Sequence, residues 1–250
     1  MSRFIYSILI LLLSFSFYSQ EKINQTDSKG KKQGVWIKNY EGTNKKRYKG
    51  EFKDDIPVGK FYYYYDTGEI AAVSVFEEEG KVTYTRTYYT NGNLMATGKY
   101  INQVKDSVWW FFTEDKKMLS RENYKLGKLE GERYVYFPTD PETEKSIIRE
   151  ITTYKNGLKN GQWKQYYKNG KVEAEGVYKD GNFDGFVKWY YENGVLQTQG
   201  FYRHAVKNGY WKSFESDGTL KSKVYYLNGK ELKGEALEKH LEKIRQEKQH

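Results

Sequence analysis

The chain writes the same sentence several times. Gly161 to Asp184, GQWKQYYKNGKVEAEGVYKDGNFD, is followed without a break by Gly185 to Asn208, GFVKWYYENGVLQTQGFYRHAVKN, with the same placing of glycines and aromatic residues. A fixed period of this size marks an array in which each unit is one supersecondary element stacked on the next. With a Gly-x-aromatic start as marker, units begin at Gly34, Gly59, Val82, Ser107, Gly131, Gly161, Gly185 and Gly209, and a fragment restarts at Gly234. The one long step, from Gly131 to Gly161, holds an insertion around PTDPETEKS, Pro138 to Ser146.

Each unit reads as a β-hairpin plus a connection. Asn169-Gly170 lies between two strand-like runs and predicts a type I′ turn, whose two positive φ angles suit this dipeptide. Asn91-Gly92, Asn193-Gly194 and Asp217-Gly218 are equivalent, with Thr67-Gly68 and Asp115-Lys116 as looser versions. Counting back from the turn pairs Tyr167 with Val172, Gln165 with Ala174 and Trp163 with Gly176. Paired residues share a face. One face therefore carries Trp163, Tyr167, Val172, Gly176 and Tyr178; the other carries Lys164, Tyr166, Glu173, Glu175 and Val177.

The rows continue along the chain. The Trp163 row reads Trp36, Phe61, Tyr84, Trp109, Arg133, Trp163, Val187 and Trp211. The Tyr178 row, including Tyr202, is aromatic in every copy, and Gly200 repeats Gly176. Ile70, Leu94, Met118, Leu196 and Leu220 repeat Val172. Tyr166 and Tyr190 stand in a row of single aromatics on the charged face. Glycine opposite tryptophan leaves room for a flat indole over the neighbouring strand. A lone hairpin is marginal in water, so aromatic rows must pack from unit to unit. The fold expected is all-β: an elongated single-layer antiparallel sheet of about eight tandem hairpins, residues 34–233. Connections such as Tyr178 to Gly185 place Phe183, Leu158 and Leu129 along one long edge.

The ends break the pattern. Residues 1–19 have an early Arg3, an apolar run from Phe4 to Phe17 and small residues after it, the pattern of a secretory signal peptide. That run is short for a bilayer span. Its removal would lower the formal net charge from +9 to +8. Residues 20–33 are polar and expected to be loose. In residues 234–250, Leu237, Leu241 and Ile244 fall on one helical stripe, a cap over the last hairpin or a helix for a partner.

The pattern GxWxxYYxNGxxxxxGxYxxG resembles the MORN repeat, and more closely the bacterial variant in proteins labelled YwqK-type antitoxins. The resemblance implies a twisted sheet of hairpins used for binding proteins or phospholipid head groups, and toxin neutralisation by direct contact. It brings no catalytic residues: Trp36, Trp109, Trp163, Gly176, Tyr178, Gly200, Tyr202 and Trp211 fall on structural positions.

Chemistry is sparse in the remaining residues. There is no cysteine, and three histidines, His204, His240 and His250, show no metal-ligand spacing. No nucleophile elbow or phosphate loop occurs. Neither a cofactor nor a metal is expected. Lysines are interleaved with glutamates rather than massed, and with export expected this argues against nucleic acid. Asp140 to Glu144 reads as an exposed insertion. Arg133 replaces a tryptophan, and so forms a cation–π or anion-binding spot between Trp109 and Trp163, or lays its stem across those rings. The expected function is an exported, non-catalytic interaction scaffold for a protein, with Tyr166, Tyr190, Lys164, Lys188 and Arg133 as contacts. Anionic lipid or glycan is the alternative partner, and a hydrolase with an unrecognised site is the second alternative.

Overall fold

The computed structural model describes residues 22–138 and 145–248. The proposed leader and Asp140 to Glu144 lie outside the described residues. Eight hairpins follow one another: Lys32–Asn39 with Lys46–Lys53, Ile56–Tyr64 with Ile70–Glu77, Val82–Tyr88 with Leu94–Ile101, and Val104–Phe112 with Met118–Lys125. Then come Gly131–Tyr136 with Ile148–Lys155, Leu158–Tyr166 with Val172–Lys179, Gly185–Tyr190 with Leu196–Arg203, and Val206–Phe214 with Leu220–Leu227. With four short strands they make one 20-stranded antiparallel sheet. Every substantial strand contact is with a neighbour in the chain, as in a one-dimensional array.

The sheet turns differently at its two edges. At Asn169-Gly170, Gly170 N–H donates to Tyr167 O (2.9 Å) and Tyr167 N–H to Lys171 O (2.9 Å), and only Gly170 has positive φ. This is a three-residue loop, a type I turn closed by a left-handed residue as a G1 bulge, not the type I′ turn expected. The same pair of bonds closes the loops at Gly68, Gly92, Lys116, Gly194 and Gly218. The bulge shifts the register, so Tyr166 rather than Tyr167 pairs with Val172.

The type I′ geometry belongs to the connections. In seven of them two successive residues have positive φ: Asp54-Asp55, Asn102-Gln103, Leu126-Gly127, Asn156-Gly157, Asp180-Gly181, His204-Ala205 and Asn228-Gly229. The connections are therefore hairpin turns, and the sheet is a continuous meander. Gly181 N–H donates to Lys159 O (2.8 Å), in the strand that follows the preceding connection, and Ala205 and Gly229 repeat this bond with Phe183 O and Lys207 O. Phe183 is stacked between Tyr178 (4.1 Å) and Tyr202 (5.6 Å), whereas Leu158 is exposed. Leu158 pairs with Lys155, the position that Asn182 holds opposite Lys179, one residue nearer the turn than Phe183, so the two do not line a common edge. Ala205 holds φ +66° where four other connections have glycine. Ala205→Gly should raise stability by about 1 kcal/mol, seen in the urea midpoint, because a methyl group strains this region.

One face is filled by rings. Trp211 lies flat on Gly200, where an added Cβ would come within 2.1 Å of the indole. Trp109 covers Gly98 and Phe61 covers Gly50 in the same way. The ring comes from the following hairpin, so each such contact joins two units. Other junctions vary one member or both: Val187 covers Gly176, Trp163 stands opposite Thr152, Thr85 Oγ1 meets Ser74 Oγ at 2.9 Å, and Arg133 meets Glu122.

The third hairpin corrects the sequence reading. Tyr84 pairs with Val75 and Thr85 with Ser74, so Thr85 holds the tryptophan position. Tyr84 points to the opposite face and is 48% exposed. The connection before this hairpin, Glu78 to Lys81, is longer, and the strand that follows pairs without a bulge. Elsewhere a residue with positive φ starts the strand in a bulge and shifts the faces by one.

The edge opposite the connections is stitched by tyrosine. Tyr65 O–H donates to Tyr88 O (2.6 Å), Tyr89 to Phe112 O (2.9 Å), Tyr167 to Tyr190 O (2.7 Å) and Tyr191 to Phe214 O (2.9 Å). This explains the repeated Tyr-Tyr pair: the second tyrosine ties its loop to the next hairpin. Asn193 does the same, since its Oδ1 accepts from Val195 N–H (2.9 Å) and its Nδ2 donates to Ser216 O (2.8 Å).

The described part of the polar leader is ordered. Gln25–Thr26 pairs with Lys32 and Gln33, and Asn24 N–H donates to Val35 O (2.8 Å). The first strand would otherwise leave an open row of donors and acceptors. At the other end the helix Gly234–Glu247 buries no residue completely. It seats on Tyr225, whose hydroxyl lies 3.1 Å from His240 Nε2, with Leu237, Leu241 and Ile244 half-buried.

Candidate functional site: the open face of the sheet

The alternation of side chains divides the sheet into a ring face, described above, and an open face. Lys164 pairs with Glu175 and Glu175 with Lys188, so these three lie in line on the open face. Tyr190 O–H donates to Glu175 Oε1 (2.8 Å), and Lys188 Nζ is 3.5 Å from the same oxygen. Burial, then the bond to Glu175 and its charge, push the Tyr190 hydroxyl up to about 12. It therefore stays a donor across the physiological range. Tyr166 is on this face too, opposite Val172.

Arg133 is elsewhere. It stands in the tryptophan row of the ring face, and its Nε donates to Glu122 Oε1 at 2.8 Å. Glu122 also accepts from Tyr124 O–H (2.6 Å) and Ser120 O–H (3.1 Å). Burial alone would raise the Glu122 carboxyl, but the bonds from Tyr124 and Arg133 hold it below its ordinary value. The structure thus gathers Lys164, Tyr166, Lys188 and Tyr190 on one face and sets Arg133 on the other, engaged with a carboxylate.

The open face carries rings with little cover. Phe186 is 65% exposed, and Tyr84 and Tyr210 are also open. Arg121 is held between Trp110 (5.7 Å) and Tyr134 (5.2 Å), and Lys223 sits 4.1 Å over Tyr210. A groove of about 620 Å³ crosses the second, third and fourth hairpins. Lys60, Arg86 and Lys99 line it with Tyr84, Tyr88 and Trp110, and its floor includes Val73, Val75 and Val108. Sequence reasoning missed this groove because it set Tyr84 on the wrong face. The signal was present: a step of 24 residues back from Trp109 falls on Thr85, not Tyr84.

The ring face has its own recess, about 700 Å³, where Thr85 stands at the ring position beside Ser74 and Thr83. Its walls include Tyr63, Phe76 and Tyr100. Among the described residues no group of three or more His, Asp or Glu is placed to hold a metal ion. His204 lies in a connection with positive φ, and His240 is engaged with Tyr225. No helix among the described residues is long and apolar enough to cross a membrane.

No curated protein matches the sequence. Residues 84–102, 159–180, 184–204 and 207–228 match the family model described as MORN repeat variant. These segments coincide with the third, sixth, seventh and eighth hairpins. The chain is thus a β-hairpin repeat protein, and four of its eight hairpins match the MORN repeat variant.

Proposed function

We propose that this chain is an exported, non-catalytic scaffold whose open sheet face docks a partner protein. The observation that carries the reading is the open face itself: exposed rings set among charges of both signs, on a rigid meander stitched at both edges. Aromatic and cationic surfaces of this kind are enriched where proteins meet. Phe186, Tyr190, Lys188, Lys164 and Tyr166 form its centre. Neutralisation of a toxin, in the manner of YwqK-type antitoxins, is one form this docking takes in the proposal. Removal of residues 1–19 during export is part of it.

The test compares residues 20–250 with a Phe186→Ser/Tyr190→Ala variant as bait in envelope extracts. The same partner should be retained by the first and lost, by on the order of tenfold, by the second. Equal retention of every partner by both, with circular dichroism showing both folded, would sink the proposal. The basic balance of the chain, +9 in formal charge, is the observation behind a second reading, an envelope binder of anionic head groups or glycans. Salt-sensitive binding to anionic vesicles or cell-wall material is the result it expects.

A further inference from the structure

The groove across the second, third and fourth hairpins has a more specific geometry than the rest of the open face. Lys60 pairs with Val75, Val75 with Tyr84 and Tyr84 with Lys99. These four side chains therefore lie on one line perpendicular to the strands. At about 4.8 Å per strand, the two lysines are roughly 14 Å apart. The next line holds Val73, Arg86, Thr97 and Trp110, so Arg86 stands one side-chain row, about 7 Å, to the flank.

Among the described residues the cations in this groove have no ion-pair partners. Lys60, Arg86 and Lys99 form no ion pair with any described carboxylate, unlike Lys188 with Glu175. Asp106 is opposite Lys99 in the ladder. Its carboxylate is occupied by Ser107 O–H (3.0 Å) and faces Leu126 N–H (3.5 Å). Among the described residues no Asp, Glu, Asn or Gln lines the groove.

We propose that this groove binds an extended acidic segment of a partner protein, with two carboxylates four residues apart and an apolar residue midway. An extended chain rises about 3.4 Å per residue, and residues i, i+2 and i+4 face one way. Carboxylates at i and i+4 are thus about 14 Å apart, the separation of Lys60 and Lys99. The side chain at i+2 falls on Val75 and Tyr84, and Arg86 reaches the peptide carbonyls from the flank. The valine floor suits an apolar side chain rather than a sugar, which needs planar acceptors for its hydroxyls. The cations line a recess, a poor shape for meeting a flat bilayer. This proposal rests on the docking-scaffold reading and names where and what that face recognises.

The test is fluorescence anisotropy with a labelled peptide, Gly-Ser-Glu-Ser-Val-Ser-Glu-Ser-Gly, on residues 20–250. An isomer with adjacent glutamates should bind on the order of tenfold more weakly. A Lys60→Glu/Lys99→Glu variant should lose a similar factor for the first peptide, while Lys179→Glu/Lys230→Glu, the same charge change at exposed positions outside the groove, leaves it unchanged. Both sites are on the surface, and circular dichroism would confirm the fold. Absence of binding, equal binding of the two peptides, or indifference to the lysine variant overturns the proposal. So does preferential, lysine-dependent binding to phosphatidylglycerol vesicles or to a polyuronate. If the peptide fails while the Phe186→Ser/Tyr190→Ala bait still loses its partner, the groove assignment falls and the scaffold reading stands.

Discussion

Trp109→Ala is expected to lower the stability of the protein by about 3–5 kcal/mol, the usual range for deleting a buried ring. Trp109 is 2% exposed. Its indole lies on Gly98, meets Tyr100 edge-on at 4.9 Å and stacks on Phe111 at 6.1 Å. Lys105 Nζ covers it at 4.5 Å, and its N–H donates to Lys99 O at 3.0 Å. Gly98→Ala attacks the same contact from below, since the new Cβ would fall 2.2 Å from the ring. Alone it should destabilise by about 1–3 kcal/mol. With Trp109 already alanine, Gly98→Ala should be close to neutral, because the obstructing ring is gone. A double-mutant cycle from urea unfolding measures this coupling. If Gly98→Ala had the same effect in both backgrounds, the ring-on-glycine junction would not be what joins these hairpins.

The second large effect is expected at Glu122 and Arg133. Arg133→Met leaves a carboxylate that is largely buried without its ion-pair partner, and should destabilise by about 2–3 kcal/mol. Glu122 sits where four other junctions have Gly50, Gly98, Gly176 and Gly200, and Arg133 sits where those four have a ring or valine. The double change Glu122→Gly/Arg133→Trp converts this junction to the commoner type. It should recover the loss, since apolar packing can replace a buried ion pair without penalty. The pair also has a pH signature. The folded carboxyl of Glu122 is held below its ordinary value, so its stabilisation is present at neutral pH and lost as pH falls through the depressed value. Glu122→Gln should flatten the acid limb of the stability curve. An unchanged acid limb would mean that the pair contributes nothing to folding.

The repeat length, the eight hairpins and the identity of the ring face were legible because they depend on period alone. Alternation puts Trp163, Gly176 and Tyr178 on one side whatever the turn type. The turns were not legible from the Asn-Gly dipeptide. It suits a type I′ turn, but the flanking bonds of Tyr167 close a loop of three residues rather than two. The two-residue turns fell at the connections, where Asn156-Gly157, Asp180-Gly181 and Asn228-Gly229 carry the same kind of dipeptide and His204-Ala205 does not, so the dipeptide alone does not distinguish the two loop lengths. Tyr84 was misplaced because bulges count as residues without alternating, and the third hairpin lacks one at its start. Glu122 escaped notice since only the tryptophan row was read for departures. Reading the glycine row beside it shows glutamate facing arginine at the same junction. Of the candidate contacts, Lys164, Tyr166, Lys188 and Tyr190 needed only correct alternation to share a face. The groove at Lys60, Arg86 and Lys99 depends on register across four strands and required coordinates.

If each hairpin is stable only through its neighbours, the array should accept another copy. Insertion of a second Gly185 to Asn208 after Asn208 sets Val187 of the new copy over Gly200 of the old, and Gly200 of the new copy beneath Trp211. Small-angle X-ray scattering of this variant should show a cooperatively folded particle lengthened by two strand spacings, about 10 Å. A particle of unchanged length, or one that has lost its fold, would contradict the account.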